Sequence, residues 1–137
     1  MLYSETFIDV RYYETDQMGI VHHSNYIRYF ECARDHMLVE SGYPIQECEK
    51  DGVMIPIVSV ECHYKFPAKM GDHLRCVAMI DRVPMAKLPV RQQVFNQDGV
   101  LCAEGVVTLG FINKITRRPV RCPEKLAGIF AGRMNDR

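Results

Sequence analysis

Residues 25–41, NYIRYFECARDHMLVES, decide the fold class. Tyr26, Phe30, Ala33 and Met37 recur at i, i+4, i+7 and i+11, and Ile27 and Leu38 widen the same apolar stripe. That period is helical. Ser24 or Asn25 can cap the start, and Gly42 followed by Pro44 stops the helix, because glycine accepts the left-handed terminal conformation and proline cannot continue the ladder. At 1.5 Å per residue the helix is on the order of 25 Å long. It is apolar over more than half its circumference, more than a surface helix needs, which predicts a sheet curled around it.

Working outward, Phe7 to Tyr12 alternates, with Ile8, Val10 and Tyr12 on one face of a predicted strand. A polar turn with Asp16 and Gly19 leads into the helix. Downstream, every segment up to the tail reads as strand. Val53 to Phe66 sets Val58, Val60, Cys62 and Tyr64 against Ser59, Glu61 and His63, and residues 67–72 (PAKMGD) break it. Leu74, Cys76, Ala78 and Ile80 define a strand to about Val83, and another spans about Leu88 to Asn96. Asp98-Gly99 is a hairpin signal before Val100 to Ile112. Pro119 and Pro123 open an irregular tail with one helical turn from Glu124 to Phe130. One apolar helix followed by antiparallel strands is an α+β pattern. The sheet edges need covering or pairing, which favours a dimer formed through them.

A chain of 137 residues predicts one domain, 1–137. A domain of this size buries roughly two-thirds of its unfolded surface and needs no staples. With 47% hydrophobic and 25% charged residues, 9 Gly and 7 Pro, disorder, collagen and coiled coil are excluded. The 17 basic residues balance 17 acidic ones. Zero net charge argues against nucleic-acid binding, leaves room for a local basic patch, and offers no repulsion against self-association. Met1 to Glu5 lacks the basic and apolar regions of a secretory signal. No apolar run approaches the roughly 18 residues of a membrane span, since Pro56 and Ser59 interrupt Met54 to Val60. The six cysteines contain no Cys-x-x-Cys pair, so the expectation is reduced thiols in the cytoplasm rather than a zinc or redox motif.

Reactive side chains crowd between Tyr12 and Tyr26, at the strand-to-helix turn. There a helix N-terminus presents unpaired N–H groups and a partial positive charge. Such donors can polarise a carbonyl oxygen, an effect worth about 3 to 4 kcal/mol per donor in favourable cases. Asp16 just upstream can act on the same carbonyl as nucleophile or general base. An Asp before a helix is also an ordinary turn residue. His22-His23 read as exposed loop residues, and no His-Glu-x-x-His spacing supports a metal, with His36, His63 and His73 isolated. Cys32 and the aromatic stripe read as core, and Arg117, Arg118 and Arg121 as solvated surface. These residues define a site, not yet a reaction.

Residues 10–34, VRYYETDQMGIVHHSNYIRYFECAR, resemble the opening of hotdog-fold acyl-CoA thioesterases of the 4-hydroxybenzoyl-CoA thioesterase type. The shared pattern is a strand, a Thr-Asp turn, a Gly, a His, Ser-Asn-Tyr, and an aromatic helix ending in Glu-x-Ala-Arg. Tyr64, Pro67, Ala68, Gly71 and Asp72 fit the family's middle motif, and Pro119, Pro123 and Glu124 its closing segment, so the resemblance covers roughly residues 7–127. Gln17-Met18 departs from the smaller residues common in relatives and would narrow the acyl pocket.

The resemblance implies a single α+β hotdog domain, with a long central helix wrapped by a curled antiparallel sheet of about five strands. It implies hydrolysis of acyl-CoA to free acid and coenzyme A without a cofactor. Asp16 is then the catalytic carboxylate, attacking directly or activating water. The His23 N–H binds the thioester oxygen, and the His23 ring and Tyr12 hydroxyl orient Asp16 or water. Gly19, Val21 and Tyr26 would bind substrate, with Arg91, Lys87 and the Arg117-Arg118 pair holding phosphates. The family also implies a site shared between two subunits of a homodimer, commonly within a homotetramer. An acyl-carrier-protein thioesterase is the neighbouring reading. A non-catalytic acyl-thioester binding module would lack the carboxylate that Asp16 supplies. Hotdog dehydratases pair a His with a carboxylate in another motif context. Tyr26, Tyr29, Phe30 and Met18 suit an aromatic or medium aliphatic acyl group.

Overall fold

In the computed structural model, which describes residues 1–135, the predicted helix forms within one residue of its expected bounds. Strand β1 (Leu2–Asp9) leads through a 3-10 turn (Tyr12–Glu14) to α1 (Ser24–Glu40), followed by α2 (Ile45–Lys50), β2 (Val53–Met54) and β3 (Ile57–Tyr64). Then come β4 (His73–Ile80), β5 (Lys87–Phe95), β6 (Leu101–Gly110), β7 (Ile112–Asn113) and α3 (Glu124–Asn135). The five long strands form one antiparallel sheet in the order β1-β4-β5-β6-β3, and β2 pairs with β7 apart from it.

Helix α1 packs on β1, β4 and β5. Its stripe of Phe30, Ala33 and Met37 is essentially inaccessible, as are Leu74, Cys76, Ala78 and Ile80 of β4 and Leu88, Val90 and Val94 of β5. The alternation predicted along these strands therefore points its apolar face at the helix. Gly42, at φ +77°, ends α1 as expected, with the Tyr43 N–H donating back to the Leu38 carbonyl at 3.0 Å. The start differs from expectation. The N-cap is His23, whose side chain makes no capping bond. Asn25 lies inside the helix and donates Nδ2 to the Glu14 carbonyl at 2.8 Å.

Other departures have local causes. Strand β1 ends at Asp9, and the 3-10 turn breaks the alternation, so Tyr12 does not share the face of Ile8 and Val10. Residues 45–50 form a short helix where only strand was expected, with extended Pro44 as its N-cap, Glu47 in its first turn and Lys50 in its last. Pro56 divides the predicted strand 53–66 in two, and its carbonyl accepts the Gly110 N–H at 2.9 Å. The C-terminal turn extends into the full helix α3, which seats Leu126 and Phe130 in the core.

Strand β3 ends the sheet with no residue fully buried. A Cβ added to Gly105 of β6 would lie 1.8 Å from the Glu61 carbonyl oxygen of β3. Only glycine lets the two backbones approach there. Gly105→Ala is expected to push β3 off its register, costing about 2 kcal/mol or more and lowering the thermal midpoint by several degrees in calorimetry.

Candidate active site

The turn between β1 and α1 is tied down at both ends. The Asp16 N–H donates to the Ile20 carbonyl at 2.8 Å, and the Gly19 N–H to the Asp16 carbonyl at 3.0 Å. Gly19 adopts φ +79°, which glycine reaches without strain. Thr15 bridges to Val21, and Ile20 to Lys69. The Val21 N–H reaches the Ala68 carbonyl at 2.8 Å, and the Ala68 N–H donates to the buried Tyr26 hydroxyl at 3.1 Å. The turn, the start of α1 and the segment after β3 thereby enclose a cleft of about 380 Å³, lined by Asp16, Met18, Ile20, Val21, His23, Tyr26 and residues 64–67.

Asp16 is half-buried. Its Oδ1 accepts the Met18 N–H at 2.8 Å, an Asx turn, and Oδ2 has no protein partner among the described residues. The turn role and a free carboxylate oxygen thus coexist. At the helix start the Ser24 N–H donates to His22 Nδ1 at 3.3 Å, the Asn25 N–H to the His22 carbonyl at 2.9 Å and the Tyr26 N–H to the His23 carbonyl at 3.3 Å. The His23 N–H has no acceptor among the described residues. Its ring is exposed, 4.2 Å from that of His22, and Tyr64 stands edge-on to both His23 and Tyr26. Burial raises the Tyr26 hydroxyl pKa, so the phenol keeps its proton. Cys62, on the β3 edge, has its thiol pKa raised by burial, which disfavours the nucleophilic thiolate.

A family model described as the thioesterase-like superfamily matches residues 10–130. The chain belongs to that superfamily. It is 31% identical over 118 residues to a putative acyl-CoA thioesterase, YneP, of Bacillus subtilis, covering 86% of each protein. It is similar to a DHNA-CoA thioesterase from Staphylococcus aureus with TM-score 0.91 and 26% identity, across 98% of this chain and 93% of that one. A hypothetical protein from Thermus thermophilus superposes with TM-score 0.87 and 35% identity, across 94% of this chain and 98% of that one. The α+β sheet wrapped on one long helix is the hotdog domain that the resemblance implied.

In this hotdog thioesterase, Asp16, Val21, His23 and Tyr26 meet at one cleft, while Gly19 shapes the turn beneath it. Tyr12 does not join them. It is 79% exposed, because the 3-10 turn directs Tyr12 and Tyr13 to solvent and Glu14 inward. Arg91 and Lys87 also lie away from the cleft, on exposed positions of β5 that alternate with buried Leu88 and Val90. Arg91 is held by both carboxylate oxygens of Asp81, at 2.7 and 2.8 Å. Lys87 lines a separate apolar cleft of about 430 Å³ with Pro56, Val58, Phe111, Pro119 and Arg121. Arg117 and Arg118 are exposed in the turn after β7.

Sequence reasoning missed Glu14, a carboxylate only 6% exposed, since nothing in its spacing separates it from a solvated turn residue. Tyr64 was legible as part of an alternating strand and of the family's middle motif, but not as a wall of this cleft. Tyr26→Phe is expected to leave the buried Ala68 N–H unpaired and cost about 1–2 kcal/mol, read as a lower unfolding midpoint with unchanged secondary structure.

Proposed function

We propose that this chain hydrolyses acyl-CoA thioesters to free acid and coenzyme A, with Asp16 acting at the thioester carbonyl. The observation that carries the reading is that Asp16 and His23 line one cleft, and that among the described residues neither Asp16 Oδ2 nor the His23 N–H has a partner. The His23 N–H and the positive end of α1 would receive the carbonyl oxygen as charge develops on it. Asp16 either adds to the carbonyl carbon, giving an anhydride that water then cleaves, or removes a proton from an attacking water. In both routes the C–S bond breaks and the thiolate leaves with its electron pair, so the reaction calls for no cofactor. The His23 ring orients the carboxylate or water, and Tyr12 has no part from within its own chain. Met18 at the mouth narrows the acyl end.

The reading includes a homodimer, within a homotetramer, formed through β3. Ile57, Val58, Val60 and Tyr64 are exposed along this eight-residue edge, which presents unpaired backbone groups. Arg34 of α1 is 6% exposed, and among the described residues its side chain makes one hydrogen bond, from Nη1 to Gln92 Oε1 at 3.0 Å. Burial lowers its pKa against the opposing effect of Glu31 and Asp35. A buried cation without a paired carboxylate is costly, and the cleft beside it is lined by Glu31, Asp35 and Ile57 of β3. A second α1 laid antiparallel would bring carboxylates to that face. Antiparallel β3 pairing also sets the start of one strand beside the end of the other, so one copy's Lys87 and Arg121 would flank the other's Asp16 cleft. That provides cations for the phosphates of coenzyme A, with Arg117 and Arg118 nearby in sequence. All six cysteines are free, in keeping with a cytoplasmic enzyme, and among the described residues no helix is long and apolar enough to cross a membrane.

Loss of thioester absorbance on short, medium, long and aromatic acyl-CoAs tests the reading. The parent is expected to turn over at least one class, and Asp16→Asn to lose about a hundredfold or more in kcat with an unchanged unfolding midpoint. His23→Ala is expected to lose about tenfold or less, since the backbone donor survives. An Asp16→Asn enzyme running at the parent rate overturns the assignment. Val60→Glu, at the middle of the edge, is expected to give an inactive monomer by sedimentation. A parent that is both monomeric and active overturns the shared site.

A further inference from the structure

We propose that Glu14 is a positioning residue that sets the distance between Asp16 and the His23 N–H. Its carboxylate is buried, and Oε1 accepts the Arg11 N–H at 2.9 Å and the Tyr29 hydroxyl at 2.9 Å. Oε2 stands 3.5 Å from Arg11 Nη1. Its backbone carbonyl accepts the Asn25 Nδ2 at 2.8 Å and the His22 N–H at 2.9 Å. Four hydrogen bonds from three segments therefore converge on one residue.

Their arrangement matters more than their number. Asn25 and Tyr29 are four residues apart and share one face of α1, so the side chain and the backbone of Glu14 are each fastened to the helix. The His22 N–H bond closes the base of the loop that carries Asp16, with the Thr15–Val21 bridge just above it. Asp16 leaves Glu14 two residues along the chain in one direction. On the other side of the closed base, His23 follows the pinned His22. The two reacting groups of the proposed site thus hang from a common anchor. Burial raises the Tyr29 pKa and the Glu14 bond adds to the rise, so Tyr29 remains a protonated donor across the working range. A displacement of about 1 Å between such groups is enough to cost on the order of a hundredfold in rate. Arg11, half of whose side chain is in solvent, is the weaker tether, and the fastening to α1 carries the effect.

The inference rests on the Asp16 reading, and the test separates the two. The parent, Glu14→Ala, Glu14→Gln, Tyr29→Phe and Asp16→Asn are assayed on butanoyl-CoA, hexanoyl-CoA, palmitoyl-CoA and benzoyl-CoA, and binding of a non-hydrolysable thioether analogue of each thioester that the parent turns over is measured by calorimetry. Glu14→Ala is expected to lose about 30- to 100-fold in kcat, with KM and analogue affinity within about threefold of the parent. Glu14→Gln keeps an oxygen for both Oε1 donors and is expected to restore kcat to within about fivefold. Tyr29→Phe, which removes one tether, is expected to fall between them and provides the measurement if Glu14→Ala does not fold. A merely structural residue would weaken analogue binding along with kcat and would not be rescued by Gln. If Asp16→Asn is inactive while Glu14→Ala or Tyr29→Phe keeps the parent kcat, the positioning role falls alone. If Asp16→Asn keeps the parent rate, or the parent turns over none of the four thioesters, the reading of the site falls and takes the positioning role with it.

Discussion

The burial of α1 against β1, β4 and β5 is the constraint on which the rest of the molecule depends. Phe30, Ala33 and Met37 are 0%, 0% and 1% exposed, and each large apolar side chain buried in this way contributes about 1.5–3 kcal/mol. The buried stripe runs the length of α1, so the sheet curls until its inner face meets that stripe. Once the helix is fixed, so is the place where its N-terminus emerges, and the preceding turn delivers Asp16 to that end.

Hydrophobic burial alone would let the helix slide or rotate, and directed polar contacts prevent this at three levels. At the start Asn25 and Tyr29 are fastened to Glu14. Midway, Gln92 of β5 donates to the Phe30 carbonyl at 2.7 Å while accepting from Arg34. At the end, Arg133 of α3 reaches Ser41 Oγ at 2.5 Å, Glu40 Oε1 at 2.6 Å and the Met37 carbonyl at 3.4 Å. A cation there meets the negative end of the helix. Hydrogen bonds lost inside a core leave groups unpaired at a cost, so these contacts specify one register where the apolar stripe alone would allow several.

The cleft opens at the free side of the sheet. Its far wall consists of residues 64–67, at the end of the β3 edge, and the apolar cleft with Lys87 and Arg121 includes Pro56 and Val58 at the start of that edge. One strand therefore links the Asp16 cleft at one end to a basic apolar cleft at the other, and its exposed edge is where the proposed dimer would form.

Local pattern determined much of this in advance. The period of Tyr26, Phe30, Ala33 and Met37, the stop at Gly42, the alternation of β4 and β5, and the Asp98-Gly99 turn each depend on neighbours within a few residues, and each formed as read. The Thr15-Asp16 turn beside the helix start was legible for the same reason. Short irregular pieces were not. Helix α2 has six residues, too few for a period to show, and Pro56 split a run that alternation alone would continue. The direction of single side chains depends on the path of the backbone, so the 3-10 turn sent Tyr12 to solvent and Glu14 to the core, and the pleat of β5 turned Lys87 and Arg91 away from the cleft. The sequence by itself determined which of the longer elements exist and which loop carries Asp16, because those depend on local propensity and spacing. Tertiary structure alone decided which side chains meet at the cleft, because Tyr26 to Ala68 and Phe30 to Gln92 are contacts between residues 42 and 62 positions apart, and only the packing of helix on sheet brings them together.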